Sequence, residues 1–97
     1  MNPASYTLAY DGNDMIIKVQ DLFGSIKIPI GSIICKYKSY IGVPIKSIQW
    51  NQIALQSYPP QYPVRLMFAD NRSMPITLSQ VQFLMLYGTN IIQSTNR

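Results

Sequence analysis

Apolar and polar residues alternate in short runs along most of this 97-residue chain, and this alternation constrains the fold more than any other feature. The pattern is clearest in residues 6–10, 15–20, 26–30 and 64–68. The first two runs are separated by the sequence Asp-Gly-Asn-Asp, whose residues favour tight turns. Because a period of two residues is typical of strands that bury one face, the sequence predicts a mainly β fold that begins with a hairpin.

Two further runs and several prolines organise the middle of the chain. Residues 33–40 and 45–56 also alternate, and they predict two more strands, the second one long and bent. Pro29 has no backbone N–H, so the strand that contains it is expected to lie at a sheet edge or to end there. Residues 58–63 contain three prolines and two tyrosines, and they are expected to form a loop.

The period of the apolar residues changes near the C-terminus, where a helix is expected. Thr77 or Ser79 can cap this helix, which runs to about Tyr87, and Gly88 ends it. After the helix, a short last strand at residues 91–92 and an irregular tail are both open. The sequence thus places one helix behind a series of strands.

A chain of 97 residues has room for one domain with a small core. We therefore expect a single β-rich domain over residues 1–97. Its fold class is mainly β with an α+β arrangement. The expected architecture is an antiparallel sheet, or a small open barrel, of roughly five to seven strands with one C-terminal helix.

The composition argues against catalysis. The chain contains no His and no Glu, two of the side chains most used as general acids and bases. Its side-chain carboxylates fall in predicted turns, where Asp is favoured for its backbone hydrogen bonds: Asp11, Asp14, Asp21 and Asp70. Cys35 is the single cysteine and has no His to activate it. We expect no enzymatic activity, no cofactor and no metal.

The predicted helix is apolar on nearly all sides over its last two turns, and such a helix is normally buried all round. In a chain this short the sheet covers one side of the helix, so a second copy is expected to cover the other. The residues predicted at this oligomer interface are Phe83, Leu84, Met85, Leu86 and Tyr87.

The low charge supports the same interpretation. Charged residues make up 12% of the chain, against about 25% in a typical domain, and an uncharged polar surface is easier to bury in an assembly. An AT-rich genome would give a similar composition, so both explanations stay open. The leading interpretation is a non-enzymatic structural or interaction protein that forms homo-oligomers, and the small size and Ser/Asn/Gln-rich surface are typical of a viral or phage protein.

Neither a signal-peptide pattern nor an apolar run of membrane-spanning length is visible in the sequence. We expect a location in the cytoplasm or in a virion, with no membrane partner.

Single-stranded nucleic-acid binding is the alternative interpretation. Lysines and aromatic rings on one sheet face can contact phosphates and stack on bases, and the net charge of +4 permits such binding. The predicted strand over residues 33–40 places two lysines and a tyrosine on one face, and neighbouring strands add others. The candidate nucleic-acid-binding residues are Lys18, Lys27, Lys36, Lys38, Tyr40, Lys46 and Trp50.

A second alternative is a small inhibitor of a host protein. Its interface would be the loop expected at residues 58–63, which contains a Pro-x-x-Pro pattern typical of segments that bind aromatic grooves. The sequence does not separate such an inhibitor from a virion component, because both expose polar and aromatic surface.

Overall fold

The computed structural model describes residues 4–32, 35–51 and 59–94 of the chain. Within these ranges it contains a three-stranded sheet, a four-stranded sheet and one α-helix, and neither sheet closes into a barrel. The predicted mainly β fold with a single C-terminal helix is therefore confirmed. The chain divides into two compact units, Met1–Ile45 and Lys46–Arg97, which we describe in turn.

The first unit is an antiparallel meander whose strands follow one another in the sheet. They are β1 (Ser5–Asp11), β2 (Asp14–Asp21) and β3 (Gly24–Ser32). The β1–β2 turn contains Gly12 with φ of 67°, a conformation that glycine adopts without steric cost, and the predicted hairpin is confirmed. One sheet face is buried, with side chains from all three strands: Leu8, Met15, Ile17, Val19, Ile28 and Ile30.

The two edges of this sheet are protected in different ways. β3 forms one edge, and Pro29 lies within it as predicted. Along β1, the other edge, the chain returns at residues 41–44. There the Gly42 N–H donates to the Leu8 carbonyl at 3.0 Å, and Thr7 forms an isolated bridge with Pro44.

The strand expected over residues 33–40 is wrong for Cys35–Tyr40, which form a 3-10 helix. The backbone just beyond it also closes locally, since the N–H of Ile41 donates to the carbonyl of Lys38 at 3.1 Å. Amides that bond three residues back along the chain are not available to a strand ladder. Residues 33 and 34 lie outside the described residues.

The second unit contains the four-stranded sheet, in the order β6-β5-β4-β7, and the helix. Its elements are β4 (Ile45–Trp50), β5 (Gln61–Phe68), β6 (Ser73–Ser79), α1 (Gln80–Tyr87) and β7 (Ile92–Ser94). β5 and β6 are antiparallel, whereas β4 and β7 are parallel, which the sequence did not predict. A parallel pair needs a long crossover connection. Here the connection contains β5, β6 and α1, which come between β4 and β7 along the chain.

β5 begins earlier than expected. The loop predicted at residues 58–63 is wrong from Gln61 onward, because Tyr62 continues the alternation of β5 and its side chain is buried. Residues 52–58, which include the end of the strand predicted at 45–56, lie outside the described residues. The buried side chains of this unit include Ile48, Tyr62, Val64, Leu66, Phe68, Met74, Leu78, Phe83 and Leu86.

Among the residues that the structure describes, no helix has the length and apolar character needed to cross a membrane.

Candidate functional site

The helix α1 begins at a complete capping box. The Ser79 hydroxyl accepts a hydrogen bond from the Gln82 N–H at 3.3 Å, and the Gln82 side chain accepts one from the Ser79 N–H at 2.9 Å. These two bonds satisfy backbone donors that a helix start otherwise leaves open. At the other end, Gly88 caps the helix and its N–H donates to the Leu84 carbonyl at 3.1 Å. The predicted start and end of the helix are confirmed.

An aromatic cluster fixes α1 to the sheet. The Phe83 ring stacks on Tyr62 of β5, with centroids 4.1 Å apart and planes inclined by 14°. The Trp50 ring of β4 meets Phe83 edge-on at 4.6 Å and lies 5.9 Å from Tyr62. Tyr87 extends the cluster, with its ring 5.8 Å from Phe83. These contacts set which side of the helix faces the sheet.

The opposite side of α1 is also apolar, and it is exposed. We call this surface the helix outer face, and it consists of Val81, Leu84 and Met85 together with the exposed edge of Tyr87, whose ring also contacts Phe83. Their exposed fractions are 68%, 56%, 42% and 57%. A helix on the surface of a soluble domain normally presents polar or charged side chains there. The outer face of this helix is therefore an exposed apolar patch.

The structure divides the five residues that the sequence placed at an oligomer interface. Phe83 and Leu86 are buried, with 4% and 0% of their surface exposed, and Phe83 packs on the sheet of its own chain. Leu84, Met85 and Tyr87 are exposed. Val81 also belongs to the outer face and was absent from the predicted interface, although its spacing from Leu84 and Met85 (three and four residues) places it on their side.

The sequence around α1 carries no charge. No Asp, Glu, Lys or Arg occurs between Arg72 and Arg97, a stretch that includes β6, α1 and β7. The exposed polar side chains of this stretch are therefore hydroxyls and amides, such as those of Thr77 and Gln80. Burial of such groups costs far less than burial of a charge.

A second exposed apolar element lies at the tip of the β2–β3 hairpin in the first unit. Leu22 and Phe23 form its two-residue turn, with 67% and 97% of their surface exposed. The Asp21 carboxylate accepts a hydrogen bond from the Phe23 N–H at 2.8 Å and fixes the turn. This tip matches the outer face of α1 in apolar exposure, so it provides a comparison for tests of the helix.

Two of the predicted nucleic-acid-binding residues are neighbours in the first unit. Lys18 of β2 lies directly opposite Lys27 of β3, and both side chains are exposed. Like charges opposite each other destabilise a strand pair slightly. Lys27 approaches Asp11 at 4.0 Å, at the outer limit of an ion pair.

The other five do not form the expected sheet face. Lys36, Lys38 and Tyr40 lie on the 3-10 helix and not on a strand; the Lys38 side chain is exposed, and that of Lys36 lies outside the described side chains. Trp50 packs in the aromatic cluster of the second unit, so its ring serves the attachment of α1. Lys46 is exposed at the start of β4.

Basic side chains converge instead at the turn between β5 and β6. The Lys46 ammonium donates to Asn71 Oδ1 at 3.4 Å, and the Arg65 guanidinium donates to the Ser73 hydroxyl at 2.9 Å. Arg72, within the turn, pairs with Asp70 at 2.6 Å. Lys46 was a predicted site residue, but Arg65 and Arg72 were not, because only the pairing of β5 with β6 brings them together.

The Asp70 carboxylate is held by the turn. The Arg72 backbone N–H donates to it at 3.1 Å. This hydrogen bond is the main cause that keeps the pKa of Asp70 below its usual value. Desolvation opposes the effect, and the Arg72 guanidinium adds to it. In the β2–β3 turn, the Asp21 carboxylate likewise accepts a hydrogen bond from a backbone N–H, that of Phe23. Both carboxylates thus act as turn acceptors.

Comparison of the chain with protein-family models, with curated proteins and with solved structures gave no match.

Proposed function

We propose that this chain is a non-enzymatic interaction protein that assembles with copies of itself through the helix outer face. The observation that carries this proposal is the division of α1 into two apolar sides. Phe83 and Leu86 are buried, while Val81, Leu84 and the rest of the outer face are exposed. A second copy is the occupant that supplies the missing cover.

The energetic gain depends on the apolar area that association removes from water. A fully buried large apolar side chain contributes roughly 1.5–3 kcal/mol, so four partly exposed ones contribute several kcal/mol. Association costs about 4–15 kcal/mol in lost freedom. An eight-residue helix is only about 12 Å long. The interface therefore includes the uncharged surface on either side of α1.

A second copy fits this surface better than a charged partner does. In a twofold interface the same residues meet from both sides, so any charge near the axis faces its own like. The absence of charge between Arg72 and Arg97 removes that repulsion. A strongly charged partner would find no opposite charge here.

Two of the four sheet edges are poorly suited to association with another copy. β3 and β6 are edge strands, and each contains a proline, Pro29 in β3 and Pro75 in β6. Proline cannot donate to a strand ladder, and it discourages extension of a sheet from one copy into another. A role in a virus or phage particle, and a location in the cytoplasm or the virion, remain predictions from composition.

Sedimentation velocity on the wild type and on Leu84→Asp tests the proposal. Leu84 is exposed, so the substitution leaves the core intact and places a charge at the centre of the outer face. We expect the wild type to sediment as an oligomer and Leu84→Asp as a folded monomer. Leu22→Asp is the matched control, because it makes the same change at another exposed leucine, at the hairpin tip.

Each result has a definite meaning. A Leu22→Asp variant that keeps the wild-type mass supports the helix as the interface. The proposal fails if the wild type is monomeric over the whole concentration range, if Leu84→Asp keeps the oligomeric mass, or if Leu22→Asp dissociates to the same extent.

A further inference from the structure

We infer that the β5–β6 turn binds the phosphodiester backbone of a nucleic acid. We call the site the basic turn, and it consists of residues 70–73 together with Lys46 and Arg65. This activity is independent of self-assembly, and it differs from the sheet face that the sequence predicted. The inference is based on cations from three different elements that meet at one exposed turn.

Two of these cations are hydrogen-bonded to the same turn. Lys46 contacts Asn71 and Arg65 contacts Ser73, at 3.4 Å and 2.9 Å. Asn71 and Ser73 are two residues apart, so their backbones lie within about 7 Å of each other. The hydrogen bonds to the turn therefore hold both cationic groups over the same short stretch of chain.

The charge at this site is not neutralised by the described residues. Asp70 is the carboxylate of the turn, and Arg72 pairs with it at 2.6 Å. Among the residues that the structure describes, Lys46 and Arg65 contact neutral oxygens and form no ion pair. Two positive charges thus remain available, and the amide of Asn71 lies beside Lys46 as an additional polar contact.

The form of the site favours a linear polyanion over a small anionic ligand. Small ligands bind in concave pockets that bury most of their surface. Lys46, Arg65 and Asn71 are all exposed side chains. A guanidinium and an ammonium on an open surface suit the phosphates of a strand that lies across it.

Fluorescence anisotropy with a labelled single-stranded oligodeoxynucleotide, over a series of NaCl concentrations, tests this inference. Each phosphate contact contributes about −0.7 to the slope of log affinity against log salt concentration. At about 50 mM salt, one such contact therefore raises the affinity by a factor of about 8 relative to about 1 M salt. We expect Lys46→Gln and Arg65→Gln each to weaken binding about eightfold, and the double variant about sixtyfold. We expect Arg65→Lys to retain most of the affinity, because it keeps the charge that the phosphate contact depends on.

The matched control is the double variant Lys18→Gln/Lys27→Gln, which removes the same charge from the exposed lysine pair of the first unit. Its affinity should stay within about twofold of the wild type, because its lysines lie outside the basic turn. Equal losses in the two double variants would assign binding to net charge and overturn the inference. It is also overturned if the wild type does not bind, if binding ignores salt, or if inorganic phosphate displaces the oligonucleotide at equal phosphate concentration.

Circular dichroism melts show whether each variant keeps the fold. We expect wild-type melting temperatures, because all the substituted side chains are exposed. Sedimentation of the double variant Lys46→Gln/Arg65→Gln separates this inference from the proposed self-assembly. We expect the oligomeric mass of this double variant to be unchanged. Leu84→Asp, in turn, should bind the oligonucleotide through the basic turn even though it no longer forms oligomers.

Discussion

The ring of Phe83 lies nearly parallel to the ring of Tyr62, with 4.1 Å between the centroids and 14° between the planes. Phe83 belongs to α1 and Tyr62 to β5, so this pair joins the helix to the sheet. We expect Phe83→Ala to lower the free energy of unfolding by about 3–5 kcal/mol, because it removes a buried ring and leaves a cavity. Urea denaturation followed by far-UV circular dichroism measures the change.

A milder variant keeps this test measurable if Phe83→Ala does not fold. Phe83→Leu retains an apolar side chain but loses the ring contacts, which contribute about 0.5–1.5 kcal/mol per aromatic pair. A loss below about 1 kcal/mol in Phe83→Ala would contradict the packing of α1 described above.

Leu86 and Leu84 separate folding from association, although they are close neighbours in α1. Leu86 is fully buried, whereas Leu84 has 56% of its surface exposed. We expect Leu86→Asp to abolish the cooperative thermal transition, because it buries an unpaired carboxylate, and Leu84→Asp to keep the transition. Circular dichroism melts distinguish the two. Leu86→Met, which conserves volume, serves as the control and should cost less than about 1.5 kcal/mol.

The capping box gives a third prediction. Ser79→Ala removes the hydroxyl that accepts from the Gln82 N–H, and we expect a loss of about 1 kcal/mol in the free energy of unfolding, within a range of about 0.5–2 kcal/mol. Gln80→Ala is the control, since Gln80 is an exposed residue of the same helix turn outside the box. Equal effects of both substitutions on the urea midpoint would show that the box does not stabilise the helix.

The β5–β6 turn predicts a particular titration of Asp70. Its pKa is lowered first by the backbone N–H of Arg72 and then by the guanidinium of that residue. Arg72→Ala removes the guanidinium and keeps the backbone donor, so we expect the pKa of Asp70 to rise only part of the way to its usual value. NMR titration of the carboxyl carbon measures this pKa. Arg65→Ala is the control, because the Arg65 side chain contacts Ser73 and not Asp70.

The sign of the matching stability effect follows from the same shift. The pKa of Asp70 is lower in the folded chain than in the unfolded chain. The ionised carboxylate therefore stabilises the fold fully at pH values above the pKa of the unfolded chain. That contribution disappears as the pH falls through the folded pKa. A pKa of Asp70 that is unchanged in Arg72→Ala would contradict any part for the guanidinium.

Local patterns were enough to predict the elements whose signals are short in range. The β1–β2 hairpin, the edge position of Pro29 and the helix from Ser79 to Gly88 all depend on residues within a few positions of each other. The strand expected over residues 33–40 was wrong because alternation alone does not show whether the backbone finds a strand partner. Cys35–Tyr40 instead bond locally and form a 3-10 helix.

The predicted sites depended on which side of the helix or strand each residue occupies and on whether that side is exposed. Tertiary packing decides this exposure. The sequence showed that α1 is apolar all round, but it did not show that Phe83 faces Tyr62 and that Leu84 faces outward. The sequence predicts that the Trp50 ring stacks on bases, whereas in the structure it packs against Phe83. Each assignment required the position of a residue far away in the chain.

The sequence by itself determined the mainly β class, the capped helix and the neutral stretch between Arg72 and Arg97, because these follow from neighbouring residues and composition. Only the tertiary structure decided which side of α1 is left open and which cations meet. Arg65 reaches Ser73 because β5 pairs with β6, and Lys46 reaches Asn71 across the sheet end. Contacts between residues distant in sequence depend on strand register and helix orientation, which no local pattern specifies.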